Sequence, residues 1–104
     1  MKIEFLYFKG CSHWEAALKE LQDFLGTKGV EDEIGVVRVS SNDEAERLQF
    51  PGSPTIRING EDLEPEAPSS GFHLVCRVYE VEGEFLVRPP REWLDAALDE
   101  ATSG

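Results

Sequence analysis

The chain has 104 residues, 40% of them apolar, which is enough for one domain with a core of its own. Its 21 acidic residues against 10 basic ones give a formal charge of −11, which argues against nucleic acid and anionic membrane as partners, since both need clustered Lys and Arg. Two cysteines are too few for a secreted disulfide scaffold, and no apolar run approaches the roughly 20 residues of a membrane span.

Lys2 to Phe8 alternates charged and apolar residues and then becomes apolar throughout, the pattern of a strand increasingly buried on both faces. Lys2 and Glu4 lie inside that pattern, which is not the charged-then-apolar order of a signal peptide, so a cytoplasmic location is expected. Ser12 and Glu15 have capping-box spacing and predict a helix from Ser12 to about Leu25, with Gly26 and Gly29 as stop signals. Trp14, Ala17, Leu18, Leu21, Phe24 and Leu25 fall at i, i+3, i+4, i+7, i+10 and i+11, one helical face that should be core.

Ile34 to Val39 is a β-branched run and reads as a second strand, making a βαβ unit whose two strands should be parallel. Ser41 and Glu44 repeat the capping-box spacing and open a short helix that turns Ala45 and Leu48 inward and stops before Pro51. Thr55 to Asn59 is a third strand, ended by the Asn59-Gly60 turn signal. Glu61 to Ser70, rich in Pro, Ser and acids without periodicity, reads as an exposed excursion. Phe72 to Tyr79 and Glu84 to Val87, around a Glu82-Gly83 turn, predict a strand or hairpin. Pro89-Pro90 opens a last helix that buries Trp93, Leu94, Ala97, Leu98 and Ala101, with Thr102 to Gly104 fraying.

Cys11 stands at the seam between the first strand and the first helix, where unpaired N–H groups and the helix dipole favour a thiolate over a thiol. That makes Cys11 the candidate for chemistry. A cysteine at this junction, together with Gly52-Ser53-Pro54-Thr55 immediately before the third strand, resembles the thioredoxin-like superfamily, and in particular small bacterial members with a single-cysteine motif. The resemblance covers nearly the whole chain. It implies an α/β fold, a three-layer βαβ-α-ββα arrangement with a mixed central sheet, formed by residues 1–104 as one domain. It also implies that Pro54 is cis and that its loop faces Cys11, the loop backbone pairing with a bound peptide or thiol.

The motif departs from the dithiol members of that family. It reads Cys11-Ser12-His13-Trp14, so Trp14 stands where a resolving cysteine would, and no disulfide can form within the motif. Two routes of release remain: an external thiol such as glutathione, or Cys76. Cys76 lies in the apolar run after Phe72, and an inert cysteine buried in a strand is the simpler reading of it. Cys11, His13, His73 and Cys76 also have the chemistry of a soft-metal site. However, His73 and Cys76 would point to opposite faces of one strand, so a metal ranks below a reactive thiol and none is expected.

The resulting expectation is a domain with Cys11 as a single reactive thiol, acting on disulfides, glutathione-type thiols or soft electrophiles. Ser12, His13, Ser53, Pro54 and Thr55 are the candidate binding residues, and Cys76 is the candidate resolving thiol. No cofactor is expected, glutathione being a candidate co-substrate; the expected partner is a disulfide or thiol on a small molecule or protein, and the state a monomer or weak dimer. The competing reading is a redox-inactive binding module that uses the groove beside Pro54.

Overall fold

The structure is a computed structural model that describes residues 1–64 and 71–103. Part of the predicted acidic excursion, residues 65–70, and the terminal Gly104 lie outside the described residues. The elements run β1 (Ile3–Tyr7), α1 (Trp14–Thr27), β2 (Ile34–Arg38), α2 (Asn42–Arg47), β3 (Thr55–Ile58), β4 (Glu61–Asp62), β5 (Tyr79–Val81), β6 (Glu84–Leu86) and α3 (Arg91–Ser103).

Four strands form one mixed sheet in the order β2-β1-β3-β4. β1 pairs in parallel with β2, as the βαβ reading requires, and antiparallel with β3, while β3 pairs antiparallel with β4. Alternation along β1 sends Ile3 and Phe5 to one face and Leu6 to the other. On the first face they meet Ala17, Leu21 and Leu25 of α1 and Leu94 and Leu98 of α3. On the second, Leu6 meets Val39, Phe50 and Ala45 of α2. Helices therefore cover both faces of a mixed sheet, and the predicted apolar stripe of α1 packs as core along its whole length.

Both helix ends that carry a sequence signal show why the chain turns where it does. α1 runs through Gly26 to Thr27 and closes on Gly29, at φ +73°, with Gly29 N–H donating to Gly26 O and Val30 N–H to Leu25 O. That is a Schellman closure, so Gly29 rather than Gly26 is the stop. α2 is capped by Ser41, whose hydroxyl accepts from Glu44 N–H at 3.1 Å, and the Glu44 carboxylate reaches back one residue further than predicted, to Ser40 N–H at 3.2 Å. Its far end closes the same way on Gln49 at φ +54°, a conformation costly without glycine. Arg57 Nη2 donates to both Leu48 O and Gln49 O at 2.8 Å, and Phe50 N–H to Ala45 O at 2.8 Å, which hold that turn.

Four expectations are corrected. α1 begins at Trp14 rather than Ser12: its N-cap is His13, which makes no side-chain cap, and Trp14 stacks on Tyr7 with ring centroids 4.1 Å apart. The stack ties the first helical residue to the last residue of β1, leaving 8–13 as a connecting turn. The fourth strand of the sheet comes from the start of the acidic segment, with Leu63 buried behind it, so that segment is not an excursion throughout. Of the predicted strand or hairpin, the hairpin forms as β5-β6, separate from the sheet, while residues 72–78 make no strand and pair only through an isolated bridge at Cys76. At the other end α3 continues to Ser103, with Thr102 Oγ1 donating to Leu98 O, instead of fraying at Thr102.

Because Leu21 lies at the centre of the larger cluster with 3% of its surface exposed, Leu21→Ala is expected to cost about 2–5 kcal/mol, read as a lower urea midpoint at unchanged slope.

Candidate functional site

The chain leaves β1 at Tyr7 and folds through a tight turn in which Cys11 N–H donates to Phe8 O at 3.0 Å and Trp14 N–H to Cys11 O at 3.4 Å. Gly10 lies beneath the Phe8 ring, so a Cβ there would force that ring to shift. The turn drives Cys11 inward, to 1% exposure. Ser12 and His13, expected beside the thiol, are exposed, and neither contributes a side-chain bond to the helix start.

Opposite Cys11 stands the loop before β3. The Ser53–Pro54 peptide is cis, and Gly52, Ser53, Pro54 and Thr55 are all buried. Thr55 Oγ1 donates to Gly52 O at 2.6 Å and closes the loop on itself. Ser53 O lies 3.7 Å from Cys11 Sγ. The Ser53 hydroxyl is buried without a hydrogen-bond partner among the described residues.

The third component is the segment before β5. Ser53 N–H donates to Val75 O and Arg77 N–H donates to Ser53 O, each at 2.8 Å, so Ser53 and Cys76 face each other in a parallel bridge. Cys76 and Cys11 are joined as a disulfide with Cα atoms 5.5 Å apart, within the ordinary span of such bonds. Cys76 itself is exposed. Two expectations therefore change: Cys11 is not a solvent-facing single thiol, and Cys76 is neither buried nor inert in a strand but is Cys11's covalent partner. Of the four soft-metal candidates, both cysteines are joined to each other and His13 and His73 are exposed. Among the described residues no group of three or more His, Cys, Asp or Glu side chains is placed to hold a metal ion.

What fixes Cys76 over Cys11 is a set of side chains outside the candidate residues named from the sequence. Arg77 is buried and forms a two-pronged pair with Asp62, Nη1 to Oδ2 at 2.7 Å and Nη2 to Oδ1 at 3.0 Å. Its Nη2 also donates to Glu64 at 2.7 Å and its Nη1 to Thr55 Oγ1 at 3.1 Å. Burial works against the guanidinium charge, but the Asp62 hydrogen bond, with Glu64 adding to it, outweighs that cost and holds Arg77 above its ordinary pKa. The guanidinium also lies 4.4 Å over the Tyr79 ring. Tyr79 is buried, sets its ring edge-on to Trp93 of α3, and donates its hydroxyl to Pro54 O at 2.6 Å. Upstream, Leu74 N–H donates to Asn42 Oδ1 at 3.0 Å. An arginine and a tyrosine on alternate positions just after Cys76, with acids upstream, were the one hint available in the sequence.

Compared with protein-family models, curated proteins and solved structures, the chain gives no match. No described helix is long and apolar enough to cross a membrane.

Two outcomes test this geometry. Gly52 sits at φ +143°, and a Cβ there would come within 2.9 Å of Arg77 Cβ and 3.1 Å of its backbone nitrogen, so Gly52→Ala should destabilise by roughly 1–3 kcal/mol and slow closure of the disulfide after reduction. Burial pushes the Tyr79 phenol far above its usual range, with Arg77 partly opposing and Asp62 and Glu64 adding to the rise. A raised folded-state value means that stability is full below the unfolded phenol's pKa of about 10 and declines as pH rises beyond it, because the unfolded chain releases a proton the fold retains. Tyr79→Phe should cost about 0.5–1.5 kcal/mol at neutral pH and make that alkaline decline shallower in chemical denaturation.

Proposed function

We propose that the chain is a thioredoxin-like protein that carries out thiol–disulfide exchange through Cys11 paired with Cys76, on a disulfide-bearing or thiol partner. The observation that carries the reading is the disulfide between the strand-to-helix cysteine and a residue docked on the cis-proline loop. Supporting it are the parallel β1-β2 crossover through α1, the antiparallel β3 entered from that loop, and helices on both sheet faces. The two-residue β4 and the detached hairpin depart from the expected ββα ending.

The alternative, an inactive fold binding a peptide beside Pro54, needs the Ser53 N–H and C=O to be free. Both are bonded to Val75 and Arg77 of the chain itself, which favours exchange over peptide binding. Cys76 is exposed, and exposed disulfides tend to be the labile ones, whereas deeply enclosed disulfides resist exchange.

The test is equilibration of the full chain in glutathione buffers of varied redox ratio, followed by acid quench and thiol counting. The Cys11–Cys76 bond should open and close with the ratio while the fold persists, and the Cys11→Ser/Cys76→Ser double variant should lose all acceleration of small-disulfide reduction by glutathione. A bond that stays closed throughout, or a double variant as active as the parent, would overturn the reading.

A further inference from the structure

Resting on that exchange reading, we infer that Cys76 is the sulfur that exchanges with partners and Cys11 the resolving sulfur beneath it, so the strand-to-helix cysteine is the second to act. Access decides the order. A thiolate attacks a disulfide sulfur in line with the bond it breaks, and the rate depends on reaching that sulfur. Cys11 is 1% exposed, enclosed by the turn after β1 and by Ser53, so attack on its sulfur must pass through packed protein. Cys76, the other partner of the same bond, is an exposed residue.

In the oxidised protein an incoming thiolate RS⁻ bonds to Cys76 Sγ, the Cys11–Cys76 bond breaks, and the electron pair departs with Cys11 as a thiolate. In the opposite direction Cys76 thiolate attacks a partner disulfide RS–SR′ and releases R′S⁻. Cys11 thiolate then attacks Cys76 Sγ, re-forming the internal bond and releasing RS⁻. The partner disulfide gains two electrons and the protein dithiol loses them.

The second step needs Cys76 to stay above Cys11 once the covalent tie is cut, and the segment has a set of contacts among the described residues that do not involve sulfur. Ser53 pairs with Val75 and Arg77 by backbone, Arg77 is held by Asp62, Glu64 and Thr55, and Tyr79 by Pro54. A thiol so positioned resolves the intermediate as an intramolecular reaction, with the rate advantage of prepaid orientation.

The experiment is a brief exposure of the oxidised full chain to glutathione, a quench with acid and a maleimide, and peptide mapping of the glutathione adduct. The adduct should lie on Cys76, with the maleimide on Cys11. In the folded single variants, Cys76 of Cys11→Ser should accept glutathione from glutathione disulfide far faster than Cys11 of Cys76→Ser, and the gap should close in denaturant. An adduct on Cys11, equal labelling of both sites, or equal rates in the folded variants would overturn the assignment while leaving exchange itself intact. If no adduct forms and the bond never opens, the exchange reading fails and the assignment with it.

Discussion

The arrangement of this protein depends on one edge of backbone: the N–H and C=O of Ser53, in the buried loop before β3, paired with Val75 and Arg77. Two buried amide groups in need of partners are costly to leave unpaired, so the segment that satisfies them is fixed in register as well as in place. Register is what matters chemically. Pairing Ser53 between residues 75 and 77 sets residue 76 opposite the loop and directly across from Cys11.

Around that edge the chain spends charge where its apolar content cannot serve. A buried arginine needs compensation, and Asp62 and Glu64 supply it from a two-residue strand and the turn after it. The acidic segment, which composition alone assigns to solvent, thus has a structural duty in its first four residues. Gly52 completes the fit, since only a residue without a Cβ lets the loop approach the Arg77 backbone so closely. Tyr79 connects the same assembly to α3 through Trp93, so the surroundings of the Cys11–Cys76 bond and the larger core share a wall.

Local signals in the sequence proved readable where a single element determines them. The α1 stripe, the parallel crossover, the Ser41 cap, the Asn59-Gly60 turn, the hairpin turn at Glu82-Gly83 and the Ser53–Pro54 loop all follow from periodicity, capping chemistry or motif. The Ser12–Glu15 spacing misled because the Tyr7–Trp14 stack and the Phe8–Cys11 turn delay the helix by two residues. Phe72–Tyr79 misled for a different reason: its apolar residues suggested a ladder, but the segment spends its hydrogen bonds on one bridge and a side chain of α2. The pairing of Cys11 with Cys76 and the burial of Arg77 depend on contacts between distant parts of the chain, which no local pattern encodes. For this reason Cys76 stood in the sequence only as one of two routes of release for Cys11, behind the simpler reading of an inert strand cysteine, until the fold joined the two.

The bond between residues 11 and 76 spans 65 positions, more than half of the chain. Tying so long a loop removes conformational freedom from the unfolded ensemble, worth about 4 kcal/mol in the chain-entropy description. Since typical domains possess only some 5–15 kcal/mol in total, the dithiol and disulfide forms of this protein differ in lifetime as well as in chemistry. Proteases that sample open chains would clear the reduced form first, so the oxidation state of the surroundings would also set how much of the protein persists.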